Sequence, residues 1–160
     1  MTRIVALASL FLIFGPWLAF AQGQSDCSPD SVHFRTEGNN ARFGVEIVDT
    51  PEERSRGLMF RENLPQSMGM LFIYEHPQTV AFWMRNTLIP LDMIFMDDRG
   101  VVQRVHENAE PLDETAIPGG QGIQYVLEVN GGLARALGIG PGAEMRHPAL
   151  GVEAAWPCGD

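Results

Sequence analysis

The chain has no lysine, and its eleven cationic side chains, all arginine, face twenty carboxylates. Its formal charge is −9. Nucleic acid draws proteins of the opposite sign, so that class of partner is excluded. The same deficit disfavours docking on anionic lipid. Cysteine is equally scarce. Cys27 and Cys158 are the only two, and neither belongs to a CxxC pair or follows a basic helix start, which argues against redox work. The four histidines, His33, His76, His106 and His147, show no ligand spacing such as HxxxH. His106-Glu107 is the one pairing worth naming, and adjacent strand residues face opposite ways. No metal and no cofactor are indicated. Nucleophile elbow, phosphate loop, dinucleotide fingerprint, internal repeat and low-complexity tract are all missing. Ser55 and Ser67 have no neighbouring histidine, so a serine hydrolase is disfavoured.

The long apolar run is confined to the start. Arg3 precedes Ile4 to Phe20, a stretch broken by Gly15-Pro16, and Ala19-Phe20-Ala21 has the small-x-small form of a leader-cleavage site. Residues 1–21 are therefore expected to be a signal peptide. Cleavage would remove Arg3 and leave residues 22–160 as one exported domain, periplasmic or secreted, without stable membrane insertion. In an oxidising compartment the cysteine pair is expected to form a disulfide. Tying Cys27 to Cys158 closes a loop of about 130 residues, worth on the order of 5 kcal/mol in the chain-entropy account.

Local patterning predicts an α+β fold with a mainly antiparallel, curled or barrel-like sheet and two or three short helices. Residues 22–40 read as a polar lead-in and 148–160 as a tail tied back through Cys158. Phe43, Val45 and Ile47 alternate with polar residues as a half-buried strand. Thr50-Pro51-Glu52-Glu53 carries a cap, a proline at the first helical position and a capping box. Met70 to Tyr74 and Val80 to Met84 read as two strands. Leu91 to Met96 and Val101 to His106 read as a hairpin turned at Asp97-Asp98-Arg99-Gly100. Residues 107–122 are expected to be a long loop. A strand from Ile123 to Val129 should follow, then a small helix capped by Asn130 and a last strand at Glu144 to His147.

The stretch from Phe82 to Phe95 is apolar and β-prone, yet it holds Arg85, Asn86 and Asp92. Bare burial of such groups costs about 2–7 kcal/mol each, so they must form either a locked network or the floor of a site. Asp92 and Glu128 both sit inside apolar strand segments. If both point inward, they form a carboxylate pair of the kind acid–base or sugar chemistry uses, and they are the candidate catalytic residues. The same place read as a ligand pocket comprises Trp83, Arg85, Asn86, Thr87, Asp92 and Glu128, with Trp83 or Tyr125 as an apolar wall. Read as pure structure, it is a buried Arg85–Asp92 or Arg61–Glu128 bridge. Met59, Met68, Met70, Met84, Met93 and Met96 read as ordinary core rather than a soft copper site.

Several motifs recur in a known order: Thr50-Pro51 with Glu53, Arg56-Gly57-Leu58-Met59, Gly69-Met70-Leu71-Phe72, Met84-Arg85-Asn86-Thr87 with Ile89-Pro90-Leu91-Asp92 and Phe95, Val126-Leu127-Glu128-Val129 with Gly131, and Gly138-Ile139-Gly140-Pro141-Gly142. Over residues 41–147 the chain resembles the bacterial and archaeal family called domain of unknown function 192. Arg85 stands where that family commonly has lysine, and a guanidinium there can grip a carboxylate at two points. The resemblance implies a β-rich, often exported domain with no established reaction and no transferable catalytic residue. The expected function is an exported module that binds a small polar or anionic ligand. The alternatives are a carboxylate-pair hydrolase or lyase and a structural envelope protein. The sequence names no protein partner.

Overall fold

The computed structural model describes residues 27–159; the expected leader and its cleavage site lie outside the described residues. Seven strands, β1 (Ser31–Arg35), β2 (Asn40–Val48), β3 (Met68–Phe82), β4 (Leu91–Met96), β5 (Val102–Ala109), β6 (Ile117–Asn130) and β7 (Glu144–Arg146), form one mixed sheet in the order β5-β4-β6-β3-β2-β1-β7. Only β2 and β3 run parallel, joined through the helix α1 (Pro51–Arg56). A second helix, α2 (Leu133–Ala136), follows β6. The sheet curls into a half-barrel because its two edges meet. Val101 bridges Glu144, and backbone bonds from Val102 to Ala143 and from Met145 to Gly100, both 2.8 Å, stitch the seam. Twist of this hand and size is how a seven-stranded sheet avoids leaving both edges open.

Each face of the sheet carries its own core. Val32, Phe34, Phe43, Leu71, Ile94, Met96, Leu127, Val129 and Met145 fill the first. Leu58, Met70, Phe72, Met84, Leu91, Met93, Phe95 and Val126 fill the second, under the α1 connection. Strand residues alternate between the two because side chains alternate across a pleat. The expected capping box is present: the Thr50 hydroxyl accepts from the Glu53 amide, and the Glu53 carboxylate accepts from Thr50. At the end of α1, Gly57 takes φ 47°, and a Cβ there would lie 3.1 Å from the Phe72 ring. Glycine serves both needs.

The architecture departs from the sequence expectation in four places. First, residues 31–35 are not a loose lead-in. β1 pairs with both β2 and β7, and Val32 and Phe34 are sealed in the first core. Second, the two expected strands at 70–74 and 80–84 are one strand, β3, which carries bulges between Ile73 and Ala81 that absorb the polar Glu75-His76-Pro77 stretch. Third, the loop expected over 107–122 shrinks, because 107–109 belong to β5 and 117–122 to β6. Gly119 lies where any Cβ would strike the Phe95 ring at 2.4 Å. Fourth, Asn130 does not cap α2; its side chain donates instead to Leu64 O at 2.9 Å.

The cap of α2 comes from a distant strand. Asp92, fully buried on β4, accepts from the amides of Gly132 (2.9 Å) and Ala134 (2.8 Å) at the start of α2, and from Asn108 (2.8 Å) at the end of β5. A carboxylate receiving three backbone N–H groups is fully provided for without any cation. At the opposite edge, a disulfide joins Cys27 to Cys158, 131 residues apart in sequence, and folds the tail back. Leu150 in that tail is buried in the first core.

Two stability outcomes follow. Asp92→Asn keeps the shape but turns an amide group toward an amide donor. It should cost about 2–4 kcal/mol in urea unfolding and strip hydrogen-exchange protection from residues 132–136. Exchanging Cys27 and Cys158 together for serine should cost about 2–5 kcal/mol. An unchanged melting temperature would contradict the staple.

Candidate functional site

The register of β4 against β6 separates the two carboxylates. Asp92 lies opposite Val129, and Met93 opposite Glu128. Directly opposed residues share a face. Asp92 therefore points with Ile94 and Val129 toward the first core, whereas Glu128 points with Met93, Met70 and Phe72 toward the second. The expected acid–base pair is thus not assembled, because the sheet itself stands between its members. Tyr125 is also on the far side, its hydroxyl donating to Ala149 O at 3.0 Å. The bridges expected as structural alternatives are absent among the described residues. Arg61 pairs with Glu46, and Arg85 lies 4.0 Å from Glu114.

Glu128 opens into a cavity of about 200 Å³ between α1, the segment after it, and β3. Leu58, Met59, Phe72, Phe82 and Trp83 supply apolar wall; Arg54, Ser55, Arg56, Tyr74 and Thr87 supply polar groups. Glu128 is only 5 % exposed. No side-chain hydrogen bond to it exists among the described residues, and burial alone pushes its carboxyl up to about 8. At neutral pH the acid is mostly protonated, able both to donate and to accept. Around it, Arg54 donates to the carbonyls of Asp49 and Ile73 and stacks over the Tyr74 ring at 4.9 Å. The Tyr74 phenol is raised, first by burial, then lowered by the Arg54 cation and raised by Glu128.

Of the six residues expected to bind a ligand, Trp83, Thr87 and Glu128 line this cavity. Arg85 and Asn86 belong to the adjoining loop. The Arg85 guanidinium is half exposed and lies 5.9 Å from the Trp83 ring, and Asn86 accepts through its carbonyl from Phe60 N at 2.8 Å. Asp92 has no part in it. Sequence reasoning missed Arg54, Tyr74, Met59 and Phe82. A signal existed for Met59, since Arg56-Gly57-Leu58-Met59 is a recurrent motif that helix termination alone does not require.

Exposed apolar side chains gather around the 83–88 loop, and Trp83 among them lines the cavity. Phe60, Trp83, Leu88 and Leu112 are four of the five large hydrophobic residues exposed among those described. Phe60 and Leu112 both adopt positive φ, 64° and 65°, and their amides bond to Asn86 O and Thr87 O. Left-handed backbone at a bulky residue costs about 1–3 kcal/mol, and such strain gathers at functional sites. Among the described residues no three His, Cys, Asp or Glu side chains converge, and no helix is long and apolar enough to cross a membrane.

The family model DUF192, "Uncharacterized ACR", matches residues 32–147. No curated protein matches the sequence. Among solved structures, a protein of unknown function from Novosphingobium aromaticivorans DSM 12444 is 42 % identical, with a TM-score of 0.70 over 72 % of this chain and 82 % of that one. A protein of Sinorhizobium meliloti 1021, provisionally labelled a transcription regulator, is 37 % identical, with a TM-score of 0.70 over 72 % and 90 % of the two chains.

The raised Glu128 gives stability a definite pH slope. Between 4.5 and about 8 the folded carboxyl holds a proton that the unfolded one has lost. The stability of the neutral acid is therefore full below 4.5 and is lost as pH climbs to 8. That loss is on the order of 4 kcal/mol. Glu128→Gln should flatten the slope, leaving stability similar near pH 4 and raising it by a few kcal/mol at pH 8 in chemical denaturation.

Proposed function

The chain belongs to the domain of unknown function 192 family, and we propose that this member is an exported module that binds a small polar ligand in the Glu128 pocket. One observation carries the reading: Glu128 is almost wholly buried, lacks a protein partner, and faces open space rather than packed hydrocarbon. Its carboxyl oxygens open onto the cavity rather than being sealed in the fold, and an acid kept where burial makes ionisation costly calls for a reason outside the fold. A ligand that bonds the carboxyl removes that cost on binding. Trp83 and Thr87 then act as wall and hydrogen-bonding side, and Arg85 and Asn86 shape the loop that carries them. A volume below the ~300 Å³ of drug-sized pockets favours a compound of few atoms.

Export, periplasmic or secreted, is part of the same proposal. The disulfide fits an oxidising compartment, and the leader-like start supplies the route. A regulator's role on DNA does not transfer from the relative so labelled, since a formal charge of −9 opposes approach to phosphate. Acid–base hydrolysis by Asp92 and Glu128 loses its support with the pair on opposite faces. A protein-docking role draws support from the exposed apolar side chains around the 83–88 loop, because clustered exposed hydrophobics mark contact surfaces.

A library of small polar compounds, followed by NMR on the full chain, tests the reading. At least one compound should perturb the Trp83 indole resonance in the wild type and lose about tenfold in affinity with Glu128→Gln. A library in which nothing binds with dependence on Glu128 would refute the pocket as a site.

A further inference from the structure

Resting on that pocket reading, we infer that the ligand is a small zwitterion, seated with its ammonium inward against Glu128 and its anionic end outward toward Arg54 and Arg56. The polar groups of the cavity are sorted by depth. Glu128 is buried at the floor, Arg54 is half-buried, and Arg56 is exposed at the mouth. Tyr74 lies between them, its phenol feeling the Arg54 cation and the Glu128 carboxylate in opposite senses beneath the dominant effect of its own burial. An acid and two cations are thus held at separate ends of one small space.

Neither end is neutralised by the protein. Arg54 spends its side-chain bonds on two backbone carbonyls rather than on a carboxylate. Arg56 makes no side-chain bond or ion pair among the described residues. Arg61 and Arg85, by contrast, each face a glutamate. The two α1 guanidiniums and the floor acid stay apart because the cavity intervenes; a molecule carrying both charges would complete both ends at once.

Ligands of one sign fit less well. A carboxylate at the floor could accept from the neutral acid but would leave its own charge at the most buried end of the cavity, and an amine without an anion would pass two guanidiniums that lack a carboxylate partner for a single contact. An ammonium at depth also finds the rings of Phe72 and Phe82 among the walls, and cations favour aromatic faces. As the ammonium arrives, Glu128 gives up its proton to solvent and becomes the counter-ion. The balance is one proton released and one ion pair formed. The space, about 200 Å³, admits a molecule of free amino-acid size.

The test uses the full chain at neutral pH and isothermal titration calorimetry. The probes are unbranched ω-amino acids from glycine to 6-aminohexanoate, each beside the alkylamine and the carboxylate of matched length. At least one amino acid should bind about tenfold or more tightly than both of its matched partners. Glu128→Gln should weaken it by about tenfold or more, and Arg56→Gln, a change at an exposed side chain, should abolish its advantage over the amine. Proton release on binding, read from the dependence of the heat on buffer, should vanish in Glu128→Gln. Amines or carboxylates binding as well as the amino acids, with dependence on Glu128, would overturn the zwitterion inference and leave the pocket reading standing. No binding by any amino acid at millimolar concentration would likewise overturn it, and the library screen then decides the pocket by itself.

Discussion

The antiparallel register of β4 on β6 is the constraint from which the rest of this molecule follows. Met93 opposite Glu128 and Asp92 opposite Val129 send two carboxylates to opposite sides of one sheet. A slip of one residue would exchange the faces of every β4 side chain, carrying Asp92 into the second core and away from the amides it accepts from. The two cores therefore hold the register, and the register assigns each acid its surroundings. Both acids are buried between apolar neighbours, Leu91 and Met93 for one, Leu127 and Val129 for the other. Their roles differ because of what lies across from each.

On one side Asp92 meets three backbone N–H groups from two elements that are otherwise loosely held. α2 has four residues and no cap of its own, its N-cap position being Gly132. Helices so short do not persist alone in water. The carboxylate gathers the end of β5 and the start of α2 into one network, a structural role that needs no cation. On the other side Glu128 meets empty space, aromatic wall and distant guanidiniums. Selection for stability alone would replace such a group, since a neutral isostere would avoid the cost of its ionisation. Strained backbone at Phe60 and Leu112 is tied by hydrogen bonds to Asn86 and Thr87, in the loop that carries the cavity's Thr87.

Relatives at 42 % and 37 % identity share the fold at TM-scores of 0.70, so the half-barrel is a stable family scaffold. The overall charge is acidic while α1 presents arginines to the cavity, so the pocket's electrostatics are set locally rather than by the net charge.

Sequence alone determined the features that depend on near neighbours. The Thr50 capping box, the Asp97–Gly100 turn and the alternation of Phe43 and Val45 each involve residues a few positions apart, and all are present. The cysteine pair was legible because two thiols allow one pairing. Local patterning likewise predicted the α+β class and the curled sheet. Tertiary structure decided whatever depended on pairing between distant strands. Period two tells which residues of β4 share a face, and the same for β6, but it carries no information about which face meets which. That choice was made by the bulges in β3, the packing of Gly119 beside Phe95 and the two cores, all of them long-range contacts. The same reason hid the true cap of α2, since nothing near residue 132 announces a carboxylate forty positions earlier.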